Sequence, residues 1–104
     1  MLTAIYVYEP STVTISARSP NERAMIRRYD TRTPDRSALG TTKLEPGIYA
    51  LLSQEELKLE WLAGRAEALT LKKDEWPDPP ELEAGASREQ LRAFFEEIIK
   101  GADV

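Results

Sequence analysis

Directly after Pro46 and Gly47 the chain carries five consecutive apolar residues, Ile48, Tyr49, Ala50, Leu51 and Leu52. Extended, such a run is apolar on both faces, which suits a central strand covered on each side. Pro46 and Gly47 supply the tight entry into it. A chain built around this segment is committed to a layered β fold, and 104 residues suffice for one such core but not for two.

The flanking sequence supplies the partners. Residues 2–8 are rich in β-branched and aromatic side chains on both faces, with Leu2, Ala4, Tyr6 and Tyr8 against Ile5 and Val7. Residues 12–18 alternate, Val13, Ile15 and Ala17 against Thr12, Thr14, Ser16 and Arg18, and "EPST" between the two segments predicts a hairpin turn. Residues 20–29 support two readings: a helix capped by Ser19, Pro20 and Glu22, or a strand over 24–30, which is preferred. Residues 54–63 do the same. Ser53 with Glu56 forms a capping box for a short helix, whereas the spacing of Leu57, Leu59 and Trp61 predicts a strand, a turn at Ala63 and Gly64, and a return strand ending at Leu69 and Leu71. The hairpin is preferred here. Pro77, Pro79 and Pro80 end the β region. After them, Ser87 and Gln90 form a capping box for a helix whose stripe is Leu91, Phe94, Phe95, Ile98, Ile99 and Ala102, with Gly101 as its stop.

The sequence therefore predicts a mostly β chain: a small antiparallel β-sandwich of about six strands over residues 1–75, a proline-rich connector over 76–86, and one C-terminal amphipathic α-helix over 87–101, packed on the domain or on a partner.

The spacing from Gly40 through Leu44, Pro46, Gly47 and Tyr49 resembles the "L-x-P-G-x-Y" signature of carboxypeptidase-regulatory-like domains, small transthyretin-type β-sandwiches. The likeness covers about a dozen residues and is only loosely echoed upstream, by Tyr29, Asp30 and Thr31. It implies a core strand with the tyrosine packed across it. It also implies an accessory, binding or structural role, and it carries no catalytic residue.

The chain has no cysteine and no histidine. That removes disulfides, thiolate nucleophiles, cysteine-ligated metals, and the side chain best suited to proton transfer near neutrality. No phosphate loop, nucleophile elbow or EF-hand loop occurs. Adjacent carboxylates, Glu55 with Glu56, Asp74 with Glu75 and Glu96 with Glu97, leave a carboxylate-based hydrolase as a distant alternative. Charge is unevenly placed: residues 1–43 hold seven basic and four acidic side chains, and residues 44–104 hold seven basic and fourteen acidic ones. Arg18, Arg23, Arg27, Arg28, Arg32 and Arg36 lie close together with Tyr29 among them, which suits phosphate contact and base stacking, so nucleic-acid binding through residues 18–36 is the first alternative. Arginines that face water, or that pair with the acidic C-terminal half, are the preferred reading, given a sequence pI of about 4.9.

The functional expectation is a non-enzymatic interaction or assembly module that binds another protein or itself, without cofactor or metal. Arg27, Arg28 and Arg32 are the candidate contacts for an acidic partner, and Phe94, Phe95 and Ile98 are the candidates if the helix docks elsewhere. No apolar run approaches the roughly 18 residues of a membrane span, and no signal peptide opens the chain, so a cytoplasmic location is expected.

Overall fold

The computed structural model describes residues 1–29, 34–76 and 87–102. Six strands form one antiparallel sheet: β1 (Leu2–Ser16), β2 (Met25–Arg28), β3 (Arg36–Ser37), β4 (Gly40–Leu44), β5 (Gly47–Leu52) and β6 (Lys58–Leu71), followed by helix α1 (Arg88–Ala102). Neighbours run in the order β3, β2, β5, β1, β4, and β6 pairs with the remaining edge of β1.

The spine is β1. Residues 2–7 pair with β5 and residues 11–15 pair with β4 on one edge, while β6 follows the other edge from Leu2 opposite Leu71 to Ser16 opposite Lys58. The expected hairpin turn at "EPST" is thus corrected. Pro10 sits in a continuous strand, at a run of register shifts between Val7 and Val13. The second expected turn is corrected in the same way, because Ala63 and Gly64 lie inside β6 and the chain runs on instead of folding back. The alternation of Leu57, Leu59 and Trp61 was a true strand signal, and the helix over 54–63 does not form.

Both misread turns belong to one bend. Gly64 has φ +89°, and a Cβ there would stand 2.5 Å from the Pro10 carbonyl oxygen and 2.3 Å from Ser11 Oγ. Only glycine fits so close an approach at that dihedral. On the other edge of β1, Glu45 and Pro46 break β4 from β5 at the same level, Leu44 lying opposite Ser11 and Gly47 opposite Val7. Three chain segments bend together, so the sheet curls along one line, as bulges and strand glycines allow. The two layers of the expected sandwich are accordingly two portions of one sheet.

The curl produces two apolar layers. Inside it, Ile5, Val7, Tyr49, Leu51 and Ile26 face Val13, Ile15, Leu44 and Leu57, all buried, with Leu59, Trp61 and Ala66 half-covered at the margin. On the outer face of residues 2–7, Leu2, Ala4, Tyr6, Ile48, Ala50 and Leu71 meet Phe94, Phe95 and Ile98 of α1. Burying each large apolar side chain is worth about 1.5–3 kcal/mol, and β1 and β5 contribute to both layers. This is why the run from Ile48 to Leu52 carries no polar residue. Tyr49, buried in the inner layer, donates its hydroxyl to the Glu45 carbonyl at 2.7 Å, across the break between β4 and β5.

Elsewhere one expected strand holds, one capping pair changes role, and β3 and β4 are strands where none was expected. Residues 25–28 are a strand, with Ile26 buried. Ser19 and Glu22 cap no helix. The Glu22 carboxylate, in a residue only 8% exposed, accepts the backbone N–H groups of Gln54 at 3.0 Å and Glu55 at 3.2 Å, while Glu55 accepts that of Ser19 at 2.7 Å. Two loops are thereby clasped without a helix in either. The capping box at α1 forms as expected, Ser87 N–H to Gln90 Oε1 at 2.9 Å and Gln90 N–H to Ser87 Oγ at 3.3 Å. Residues 77–86 of the connector lie outside the described residues.

Candidate functional site

Strand geometry divides the arginines. Arg27 and Arg28 are consecutive in β2, so their side chains leave on opposite faces of the sheet. Arg27 makes a forked pair with Asp35, Nε to Oδ1 at 2.9 Å and Nη2 to Oδ2 at 2.8 Å, and stacks 4.4 Å from the Trp76 ring. The hydrogen bonds to Asp35 raise the Arg27 pKa, and the Arg27 guanidinium in turn holds the Asp35 carboxyl below its usual range. Arg28 donates to the Pro46 carbonyl at 2.8 Å and lies 5.4 Å from the Tyr49 ring. Arg32 lies outside the described residues.

Arg18, Arg23 and Arg36 are exposed, and Arg36 donates to Thr42 Oγ1 at 3.1 Å. The arginine-rich segment is therefore spread over two faces of the sheet. Arg28 and Arg36 do converge with Lys43, around a cleft of about 200 Å³ beside the Tyr49 ring, with Glu45 as the one carboxylate on its wall among the described residues. Such a cleft has the charge to accept a carboxylate from an acidic partner.

The helix candidates have a different fate. Phe94, Phe95 and Ile98 are 8%, 3% and 8% exposed, and all three pack on the chain's own sheet. Phe95 lies 6.0 Å from the ring of Tyr6, and Phe94 lies 5.9 Å from that of Tyr29. The Tyr6 hydroxyl reaches the Arg88 carbonyl at 3.4 Å, and Arg88 donates to the Tyr8 carbonyl at 3.1 Å. With α1 seated in this way Phe94, Phe95 and Ile98 are covered by the chain's own sheet, while Leu91 and Ile99 are half-buried at its margin. Beside it, Arg92 donates to the Tyr8 hydroxyl and to Glu67 Oε2, the latter at 2.9 Å, and burial followed by the nearby Glu67 raises the Tyr8 pKa.

One carboxylate of each pair flagged by adjacency holds local structure. Glu55 accepts a loop N–H, Asp74 pairs with the Met1 amine at 2.7 Å, and Glu96 lies 3.4 Å from Arg92 Nε. Among the described residues no three His, Cys, Asp or Glu side chains stand close enough together to hold a metal ion.

Sequence reasoning missed the most open surface. β6 is fourteen residues long and pairs only with β1, so its other edge carries unpaired backbone donors and acceptors along its length, among the described residues. Leu62 and Leu69 on this strand are 56% and 40% exposed. A signal was present in the uninterrupted strand-like stretch from Lys58 to Leu71, broken by a single glycine and no second turn residue. β3 has two residues and β4 five, so β6 is the longest of the open edges. No described helix is long and apolar enough to cross a membrane. No family model, curated protein or solved structure matches this chain.

Proposed function

We propose that this chain is a non-enzymatic interaction or assembly module that joins a protein partner through its sheet. The free edge of β6 carries this reading. A long strand with one unpaired side offers main-chain hydrogen bonds to any extended segment laid beside it, and natural sheets keep such edges short or covered unless they are used. The cationic cleft of Arg28, Arg36 and Lys43 provides a second contact suited to an acidic side chain. The local likeness to carboxypeptidase-regulatory-like domains, mostly accessory and binding modules, points the same way.

The test is capture of the tagged protein from lysate of its native host, with and without nuclease, and identification of what is retained by mass spectrometry. A stoichiometric protein that survives nuclease is the expected result. Retention abolished by nuclease would overturn the reading in favour of nucleic acid bound through residues 18–36, with the steep salt dependence that counterion release imposes.

A further inference from the structure

We propose that the occupant of the β6 edge is a second copy of this chain, its β6 added antiparallel so that Glu60 faces Arg65, and Lys58 faces Glu67, of the other copy. This rests on the interaction-module reading and assigns its partner.

Charge selects the register. When a strand pairs antiparallel with its own copy, a two-fold axis crosses the pair, and facing residues are equidistant from it along the sequence. Glu60 with Arg65, and Lys58 with Glu67, are both centred between Leu62 and Ala63. One register therefore satisfies both pairs, and the symmetry doubles each. All four side chains are exposed, and neither Lys58 nor Glu60 has an ion-pair partner within the chain among the described residues. Leu62, the most exposed of the large apolar residues among those described, falls beside the axis, where its symmetry mate covers it.

The bend makes this register sterically consistent. In an unbroken strand, residues an odd number apart point to opposite faces, and facing residues of an antiparallel pair must share a face. Glu60 and Arg65 are five apart, so a regular strand would forbid the pairing. Trp61 and Ala66 are also five apart, yet both pack on the inner layer. β6 thus changes phase at Leu62, the extra residue between Trp61 opposite Val13 and Ala63 opposite Thr12, which returns Lys58, Glu60, Arg65 and Glu67 to one outer face. The bend lies next to the axis, so the curl of one copy meets that of the other.

Sedimentation velocity over a concentration range of about 5–500 µM tests the proposal, since an edge pairing of this length falls at the small, weak end of specific interfaces. Concentration-dependent dimers are expected. Glu60→Lys and Arg65→Glu, each of which sets like charges opposite one another twice, should weaken the dimer about tenfold or more, and the double swap should restore it. The chain lacks cysteine, so Leu62→Cys introduces a lone thiol at a site where the two copies should stand about 6 Å apart, within disulfide reach. Oxidation should crosslink it, whereas Thr41→Cys on β4 should dimerise like the parent without crosslinking.

A monomer throughout the range overturns the proposal, and so does a dimer indifferent to the charge swaps. A monomer that still retains a different stoichiometric protein from lysate would reject self-pairing alone and leave the interaction-module reading standing. Loss of all retention on nuclease would reject that reading as well.

Discussion

β5 and β6 pair with the same residues of β1, and they could hardly differ more. β5 is buried along five of its six residues, while β6 is largely exposed except at its end. Pairing to a common neighbour therefore does not decide burial. What decides it is the next element out: β2 extends the sheet beyond β5, the curl covers β5 from inside and α1 from outside, whereas nothing described lies beyond β6. Backbone pairing gives the sheet its connectivity, and side-chain layers give it most of its stability.

Substitutions on the two flanks should break this comparison if it is wrong. Leu51→Ala in β5 removes a fully buried side chain from the inner layer and should cost about 3–5 kcal/mol in denaturant unfolding. A smaller loss would mean that the curl is looser than described. Gly64→Ala acts on β6 through its backbone: the positive φ and the contact with Pro10 should cost roughly 2–4 kcal/mol, although the site is exposed. If this variant unfolds like the parent, the bend is not held by glycine.

Beyond β5, the forked pair of Arg27 and Asp35 joins β2 to the segment leading into β3. Because the folded Asp35 pKa is depressed, its contribution is complete above the unfolded value of about 3.9 and is lost as pH falls through the lower folded value. Asp35→Asn should therefore lower stability by less than about 1 kcal/mol at neutral pH, with the difference from the parent vanishing in acid. An acid-unfolding series on both proteins measures this. The smallest effect belongs to the outer flank: Leu69→Ala, opposite Ala4 on β6, should change stability by no more than about 0.5 kcal/mol. A loss comparable to that of Leu51→Ala would show that β6 has cover of its own.

The sequence and the structure agree on about six strands by different routes. Two pairs of expected strands, 2–8 with 12–18 and 57–61 with the one ending at Leu71, are each one long bent strand, and β3 and β4 lie where no strand was expected. Pro10 and Gly64 each carry a turn signal, and each signal is local. Whether a proline or glycine reverses a strand or merely bends it depends on the strand paired beside it, which no local window contains. The site was less legible than the fold. Arg27 and Arg28 sit together in sequence and part in space because strand side chains alternate, and their partners Asp35 and Pro46 arrive through tertiary contacts.

By itself the sequence determined the β class, the buried character of residues 48–52, the capped C-terminal helix with its apolar stripe, and the absence of cysteine and histidine chemistry. These follow from periodicity, capping residues and composition, which act over a few neighbouring positions. Only the tertiary structure decided that α1 covers its own sheet, that Glu22 clasps a distant loop, and that β6 is left with an open edge among the described residues. Each of these depends on which segments meet across the fold, and burial and edge exposure are properties of that meeting, not of any single stretch of chain.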